Sequence, residues 1–262
     1  MTDQTRHIPL EHGAPQLRAP NAAILRQSLG YGWRDFRSAP LYGLLAGLAC
    51  CVAGWALLAI TMAAGHTFWL ILAVFGFPLI APFAALGTYV VSRALEDGVR
   101  PSVDEVLRML WAERTRQLPW LCMMMIVALL FWFFLGHMIF ALFLRLAPMT
   151  NVSTSFSVFL TPNGLMMLGL GSVVGGLFAL LLYSICVIGL PMLLDREVDY
   201  VTAMLSSIGC VTDNPLLMIG WAATIALFVL LAMLPGFLGL IVVLPWLGHA
   251  SWHLYRALTD TA

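Results

Sequence analysis

The sequence predicts an all-α transmembrane fold: a six-helix bundle of three parallel repeats, each a cytoplasmic amphipathic helix followed by two spans. Three observations predict it. Over 262 residues the chain is 61% hydrophobic and 10% charged, where soluble domains are about 25% charged. Lipid must therefore be the solvent for most of it. Six apolar runs, at about 41–64, 67–91, 119–146, 164–189, 215–234 and 236–255, are long enough to cross a bilayer about 30 Å thick, which takes about 20 helical residues. Open strands are excluded, because unpaired backbone groups are too costly in lipid. Finally, the basic residues segregate to one side.

All thirteen basic residues are Arg. Arg6, Arg18, Arg26, Arg34 and Arg37 precede the first run, and Arg93, Arg100, Arg108, Arg114 and Arg116 lie between the second and third. Arg196 and Arg256 share that side, and Arg145 alone lies opposite. The positive-inside rule then puts both termini in the cytoplasm. Zero net charge gives no basic field to attract nucleic acid.

Residues 1–22 hold three Pro and scattered charge and read as a disordered cytoplasmic tail. The six-span domain occupies 23–262. Its first surface helix covers 24–36, with Leu25, Leu29, Trp33 and Phe36 as the apolar face. Very short turns at 65–66 and 235 make tight hairpins of spans 1–2 and 5–6. Pro78, Pro82 and Pro245 kink spans without ending them. After Pro101, Ser102-Val-Asp-Glu105 is a capping box, and Val103, Val106, Leu107 and Leu110 then share one face. A third surface helix, 198–211, presents Val198, Val201, Leu205 and Ile208. The largest outer loop is about 147–163.

An internal repeat ties these elements together. Val103-Asp-Glu-Val-Leu-Arg-Met-Leu110 matches Val198-Asp-Tyr-Val-Thr-Ala-Met-Leu205 at five of eight positions. Pro40, Pro119 and Pro215 each open the following span. Ser92-Arg-Ala-Leu-Glu-Asp97 and Tyr255-Arg-Ala-Leu-Thr-Asp260 lie at one offset from Pro82 and Pro245. Units that all start in the cytoplasm are parallel repeats about an axis along the membrane normal.

Pro191-Met-Leu-Leu-Asp-Arg-Glu-Val-Asp199 and Gly248-His-Ala-Ser-Trp-His-Leu-Tyr-Arg256 resemble a bacterial family of integral membrane proteins of unknown function. Some of its members carry the label of a cytochrome c oxidase subunit. The resemblance covers about 25–260. It implies a multi-pass protein of the bacterial inner membrane associated with respiratory complexes, and it supplies no site residues.

Candidate chemistry rests on polar residues inside apolar runs. Depth rules out haem ligation by His137 with His249: eighteen residues into span 3, His137 lies about 27 Å along it, in the outer half, whereas His249 and His253 lie in the cytoplasmic third of span 6. His66 with His137 stays geometrically open. His249 and His253, at i and i+4, suit a metal but lack further ligands, and five cysteines without a C-x-x-C pair give no metal site. Counting from the repeat prolines, Asp195 follows Pro191 by four positions and His249 follows Pro245 by four, with Leu86 equivalent after Pro82. Asp195 and His249 are thus expected at one depth, within direct or water-bridged hydrogen-bond reach. His253 and His137 are secondary candidates.

No catalytic triad, phosphate-binding glycine loop or acid/base carboxylate pair can be assembled, and no cofactor is expected. The reading is a non-enzymatic accessory or assembly-associated protein of a membrane complex, plausible partners being the bilayer and other membrane subunits. Gly43-x-x-x-Gly47 and Gly171-x-x-x-Gly175 supply close-packing faces. The alternative is a small transporter or channel, which Pro-interrupted spans and repeats favour and the scarcity of charge in the spans opposes.

Overall fold

The computed structural model describes residues 11–64, 85–144 and 159–259. Most of the 67–91 run, with Pro78 and Pro82, lies outside the described residues, as do His66 and residues 147–158 of the 147–163 loop. In chain order the helices are α1 (Ala22–Ser38), α2 (Pro40–Ala64), α3 (described over 85–96), α4 (Val103–Ala112), α5 (Leu118–Leu144), α6 (Pro162–Cys186), α7 (Gly189–Asp195), α8 (Tyr200–Asp213), α9 (Pro215–Met233) and α10 (Leu240–Thr259).

Among the described residues, four stretches are long and apolar enough to cross a membrane: Pro40–Ile60, Leu118–Leu144, Pro162–Asp195 and Pro215–Met233. The chain is an all-α membrane protein. Helix α10, expected as the sixth span, is not among the four. Its apolar run ends at Leu247, beyond which His249, Trp252, His253 and Arg256 follow. His249, Trp252 and His253 pack inside the protein, as do Tyr255 and Leu258, and Arg256 is half-buried.

Helix starts follow their capping residues. Ser102 accepts from Glu105 N while the Glu105 carboxylate accepts from Ser102 N, a complete capping box on α4. Asn21 caps α1 and Asp199 caps α8 in the same Asx manner. At the end of α3, Gly98 adopts φ +75°, and Val99 N donates to Ala94 O at 2.9 Å. This is a left-handed helix stop that glycine supplies without strain.

The surface helices bury part of the expected apolar faces, Phe36 and Val106 among them, together with small residues that the pattern did not mark. On α1 the buried residues are Ile24, Ser28, Gly32, Asp35 and Phe36, while Trp33 is 41% exposed. On α8 they are Ala203, Ser207, Cys210 and Val211, while Leu205 is 59% exposed. On α4 only Val106 is buried, and Leu107 is exposed. Small residues face the neighbouring helices because they allow close backbone approach, and large apolar ones can face lipid without penalty.

Glycines set the helix spacing. A Cβ on Gly47 would fall 2.6 Å from Ile241 Cα, and one on Gly43 would fall 2.6 Å from Pro245 Cβ. The backbones of α2 and α10 therefore touch. Tyr183 OH donates to Met218 O at 2.7 Å, joining α6 to α9. Ile188 N donates to Ser207 Oγ at 3.1 Å, joining the start of α7 to α8. The core lies where α3, α7, the start of α5 and the end of α10 meet, around Leu86, Leu121, Ile188, Met192, Trp221, Trp252 and Leu254.

The segment 11–21, expected within a disordered tail, is tied to the body. Glu11–His12 (β1) pairs in parallel with Arg196–Glu197 (β2), and Arg18 N donates to Leu258 O at 3.0 Å. Backbone donors with partners of this kind hold a polar segment that its composition alone would leave unstructured.

Candidate functional site

The last two turns of α10 carry His249, Trp252, His253 and Arg256, at spacings that put them along one stripe. Helix α1 reaches this stripe because Gly32 has no side chain: a Cβ there would lie 2.7 Å from Ala250 Cα. One turn further on, Asp35 meets His253. Helix α3 adds Ser92 and Glu96, one turn apart, and α7 ends on Asp195.

A continuous polar cluster results. His253 Nε2 lies 2.6 Å from Asp35 Oδ2, and Ser92 Oγ lies 2.9 Å from the same oxygen. Ser92 Oγ is also 2.7 Å from His249 Nδ1. Asp35, Ser92, His249 and His253 are all buried, Asp35 at 4% and His249 at 1% exposure. On the other side of His253, Nδ1 is 4.0 Å from Glu96 Oε1, which accepts from Trp252 Nε1 at 2.9 Å. Arg256 bridges the carboxylates, Nε being 3.2 Å from Glu96 Oε2 and Nη1 3.6 Å from Asp195 Oδ2. Asp195 also accepts from Tyr255 OH at 2.8 Å. Arg93 Nη1 donates to Leu194 O at 2.7 Å, holding α3 against the end of α7.

The proton positions follow from the donor inventory. An ionised Asp35 only accepts, so both Ser92 and His253 donate to it. The single hydroxyl hydrogen of Ser92 is then used, and His249 Nδ1 must donate to Ser92 Oγ. Ser92 is therefore not activated as a nucleophile, since no base accepts its proton except a carboxylate held ionised. Burial by itself would raise the Asp35 pKa, but the His253 hydrogen bond and charge, the Ser92 hydrogen bond and the neighbouring His249 hold it below the ordinary carboxylate value. Glu96 goes the other way: burial raises its pKa despite Trp252, Arg256 and His253.

Asp195 and His249 both join this cluster, but they are not bonded to each other: Asp195 meets Tyr255 and Arg256, and His249 meets Ser92. Tyr255 is nearer the end of α10, so Asp195 engages the helix more than a turn beyond His249. His253 is the centre of the cluster. His137 stands apart on α5, with Nδ1 2.8 Å from Phe133 O of its own helix. Asp35, Ser92, Glu96 and Arg256 were not singled out from sequence. A signal existed for Asp35, the only acid on α1, one turn after the small residues Ser28 and Gly32.

Fold and site together define a multi-pass membrane protein whose helix ends are tied by a buried ionic cluster. A family described as "Predicted integral membrane protein (DUF2189)" matches residues 68–195. The match spans α3 to α7, including Ser92, Glu96 and Asp195, and leaves out Asp35 and the α10 stripe. Its description names no oxidase or respiratory complex. No curated protein and no solved structure matches the chain.

Proposed function

We propose that this chain is a non-enzymatic accessory or assembly protein that holds other subunits in the bacterial inner membrane, those of a respiratory complex on the resemblance noted above. The observation that carries the reading is the outer face of α6. A Cβ at Gly169 or Gly176, two turns apart on one exposed face, would meet nothing within 4 Å among the described residues, while Gly175, on the other face, lies against Trp132. The chain uses the same device internally, where Gly43 and Gly47 seat α10. A vacant face of this kind suits a transmembrane helix of another subunit. The test is a mild-detergent pull-down of the full chain from native membranes, with mass spectrometry and an absorption spectrum. Wild type should retain a stoichiometric membrane subunit that Gly169→Leu/Gly176→Leu loses at unchanged thermal stability. Equal retention by the variant overturns the reading.

The same proposal includes six spans, three parallel repeats and cytoplasmic termini. What supports it is an order that recurs three times: a capped short helix, then a long helix opening at or beside Pro40, Pro119 or Pro215. Reporter fusions at Ala262 and in the 147–163 loop test the orientation, and a translocated C-terminus refutes it.

A second reading, proton-coupled transport, is favoured by one feature. Hydrogen bonds join His253, Asp35, Ser92 and buried His249, and Glu96 stands 4.0 Å from His253 at the exposed end. Proteoliposomes with an entrapped pH dye test it, and proton flux equal in wild type and His253→Ala excludes it.

A further inference from the structure

A second feature lies outside the buried cluster, on the solvent side of α1. Its charges are unevenly distributed. The one acid, Asp35, points inward to His253 and Ser92, whereas Arg26, Arg34 and Arg37 all stay on the exposed side. Arg34 and Arg37 line a concavity completed by Gly30, Trp33, Ser38 and Arg100. Arg100 reaches it from the other side because the Gly98 stop turns the chain back at the end of α3. No carboxylate among the described residues lines this concavity. Arg34 is engaged by the Tyr31 ring, 5.0 Å from its guanidinium carbon, and lies 3.8 Å from Asp35. Arg37 and Arg100 have no hydrogen bond or ion pair among the described residues. Ser38 Oγ donates back to Arg34 O at 2.9 Å, so the guanidiniums are the donors that face outward.

Like charges lining one concavity repel unless an anion lies between them. Guanidinium forks match the geometry of phosphate oxygens and bind them in pairs. Depth is the second consideration. Leu41, which is 61% exposed on the membrane-spanning α2, follows Arg37 by four positions. The concavity therefore lies where apolar span meets headgroup. Trp33, 41% exposed, has the amphipathic ring that this level favours. The next concavity along α1, lined by Ala22, Ala23, Arg26 and Gln27, has a single arginine and no aromatic.

We propose that Arg34, Arg37 and Arg100 form a binding site for a phosphate group at the membrane surface, with Trp33 lying against whatever carries it. A phospholipid headgroup and a free phosphate share this chemistry, and the experiment separates them. Native mass spectrometry of the full chain in detergent is run with dioleoyl phosphatidylglycerol, with dioleoyl phosphatidylcholine, and with phosphatidylglycerol plus inorganic phosphate. The variants are Arg37→Gln/Arg100→Gln, Arg26→Gln as an exposed arginine outside the concavity, and Arg37→Lys/Arg100→Lys. A charge-assisted hydrogen bond changes affinity by about tenfold or more. Wild type should therefore bind one phosphatidylglycerol at least about tenfold more tightly than Arg37→Gln/Arg100→Gln, with Arg26→Gln unchanged and the lysine variant, which keeps both charges, still binding. Competition by millimolar inorganic phosphate assigns the site to the free anion, and lack of competition with preference over phosphatidylcholine assigns it to anionic lipid. Either supports the proposal. It is overturned if wild type binds neither, if Arg37→Gln/Arg100→Gln binds as wild type does, or if Arg26→Gln loses as much, which would leave only diffuse attraction.

Discussion

Replacing Asp35 by Ala isolates the energetic role of the buried cluster. The carboxylate accepts two hydrogen bonds on one oxygen, from His253 at 2.6 Å and Ser92 at 2.9 Å. Its removal leaves two buried donors without their acceptor, at about 1–3 kcal/mol each. The total agrees with the loss of about 3–5 kcal/mol when one partner of a buried ion pair is deleted. Asp35→Asn can keep the shared acceptor oxygen but loses the charge and turns its amide N–H toward Arg34, 3.8 Å from the other oxygen, and should lose about half as much. SDS-driven unfolding in mixed micelles measures both. A double-mutant cycle with His253→Ala should give a coupling of about 1–3 kcal/mol. The pH dependence has a defined sign. Because the folded pKa of Asp35 lies below its ordinary value of 3.8, its contribution is fully present above about pH 4 and is lost as pH falls through the folded pKa. Wild type and Asp35→Asn should therefore converge in acid. A loss under about 1 kcal/mol for Asp35→Ala, or additivity with His253→Ala, would refute the reasoning.

Three further outcomes follow. Glu96 has a raised pKa, so its folded-state stability is present below the ordinary value of 4.5 and declines as pH rises; Glu96→Gln should not lower the unfolding midpoint at pH 7, despite the Arg256 contact at 3.2 Å. Gly47→Leu, aimed at the Ile241 backbone 2.6 Å away, should destabilise by about 1–3 kcal/mol or more, and Gly171→Leu, which meets nothing within 4 Å, should be neutral in detergent by the same unfolding assay. Ser102→Ala removes the side chain that accepts from Glu105 N and should loosen α4, at about 1 kcal/mol, read as faster amide exchange over 103–106.

The membrane class and the helix starts were legible because both depend on local chemistry. Apolar composition demands lipid, and Ser102, Pro40 and Pro215 mark helix starts by the hydrogen bonds they make or cannot make. Which small residues of α1 and α8 face inward was not legible, since a hydrophobic pattern does not mark them: Gly32 and Ser207 are buried, while Trp33 and Leu205 are exposed. Within the site, Asp195, His249 and His253 stood out as polar residues in apolar runs. Asp35 did not, because Trp33-Arg-Asp-Phe-Arg37 looks like a solvated charged turn. Ser92 and Glu96 were visible only as part of a repeated motif, and that motif, with its counterpart at Tyr255 and Arg256, supplies much of the cluster.

The cluster also has a consequence for biogenesis. Asp35 and His253 are separated by 218 positions, and at about 5–20 residues per second the ribosome needs roughly 10–40 s to span them. Asp35 waits through all of that interval, Glu96 and Asp195 join it partway, and the histidines of α10 come last. A carboxylate on a surface helix can wait in the headgroup region, hydrated, in a way that one on a spanning helix could not. We infer that the cluster closes late, after insertion, when the last helix meets the carboxylates of α1, α3 and α7. Chains truncated before His249 should accumulate as inserted but open bundles, and be the preferred prey of membrane quality-control proteases.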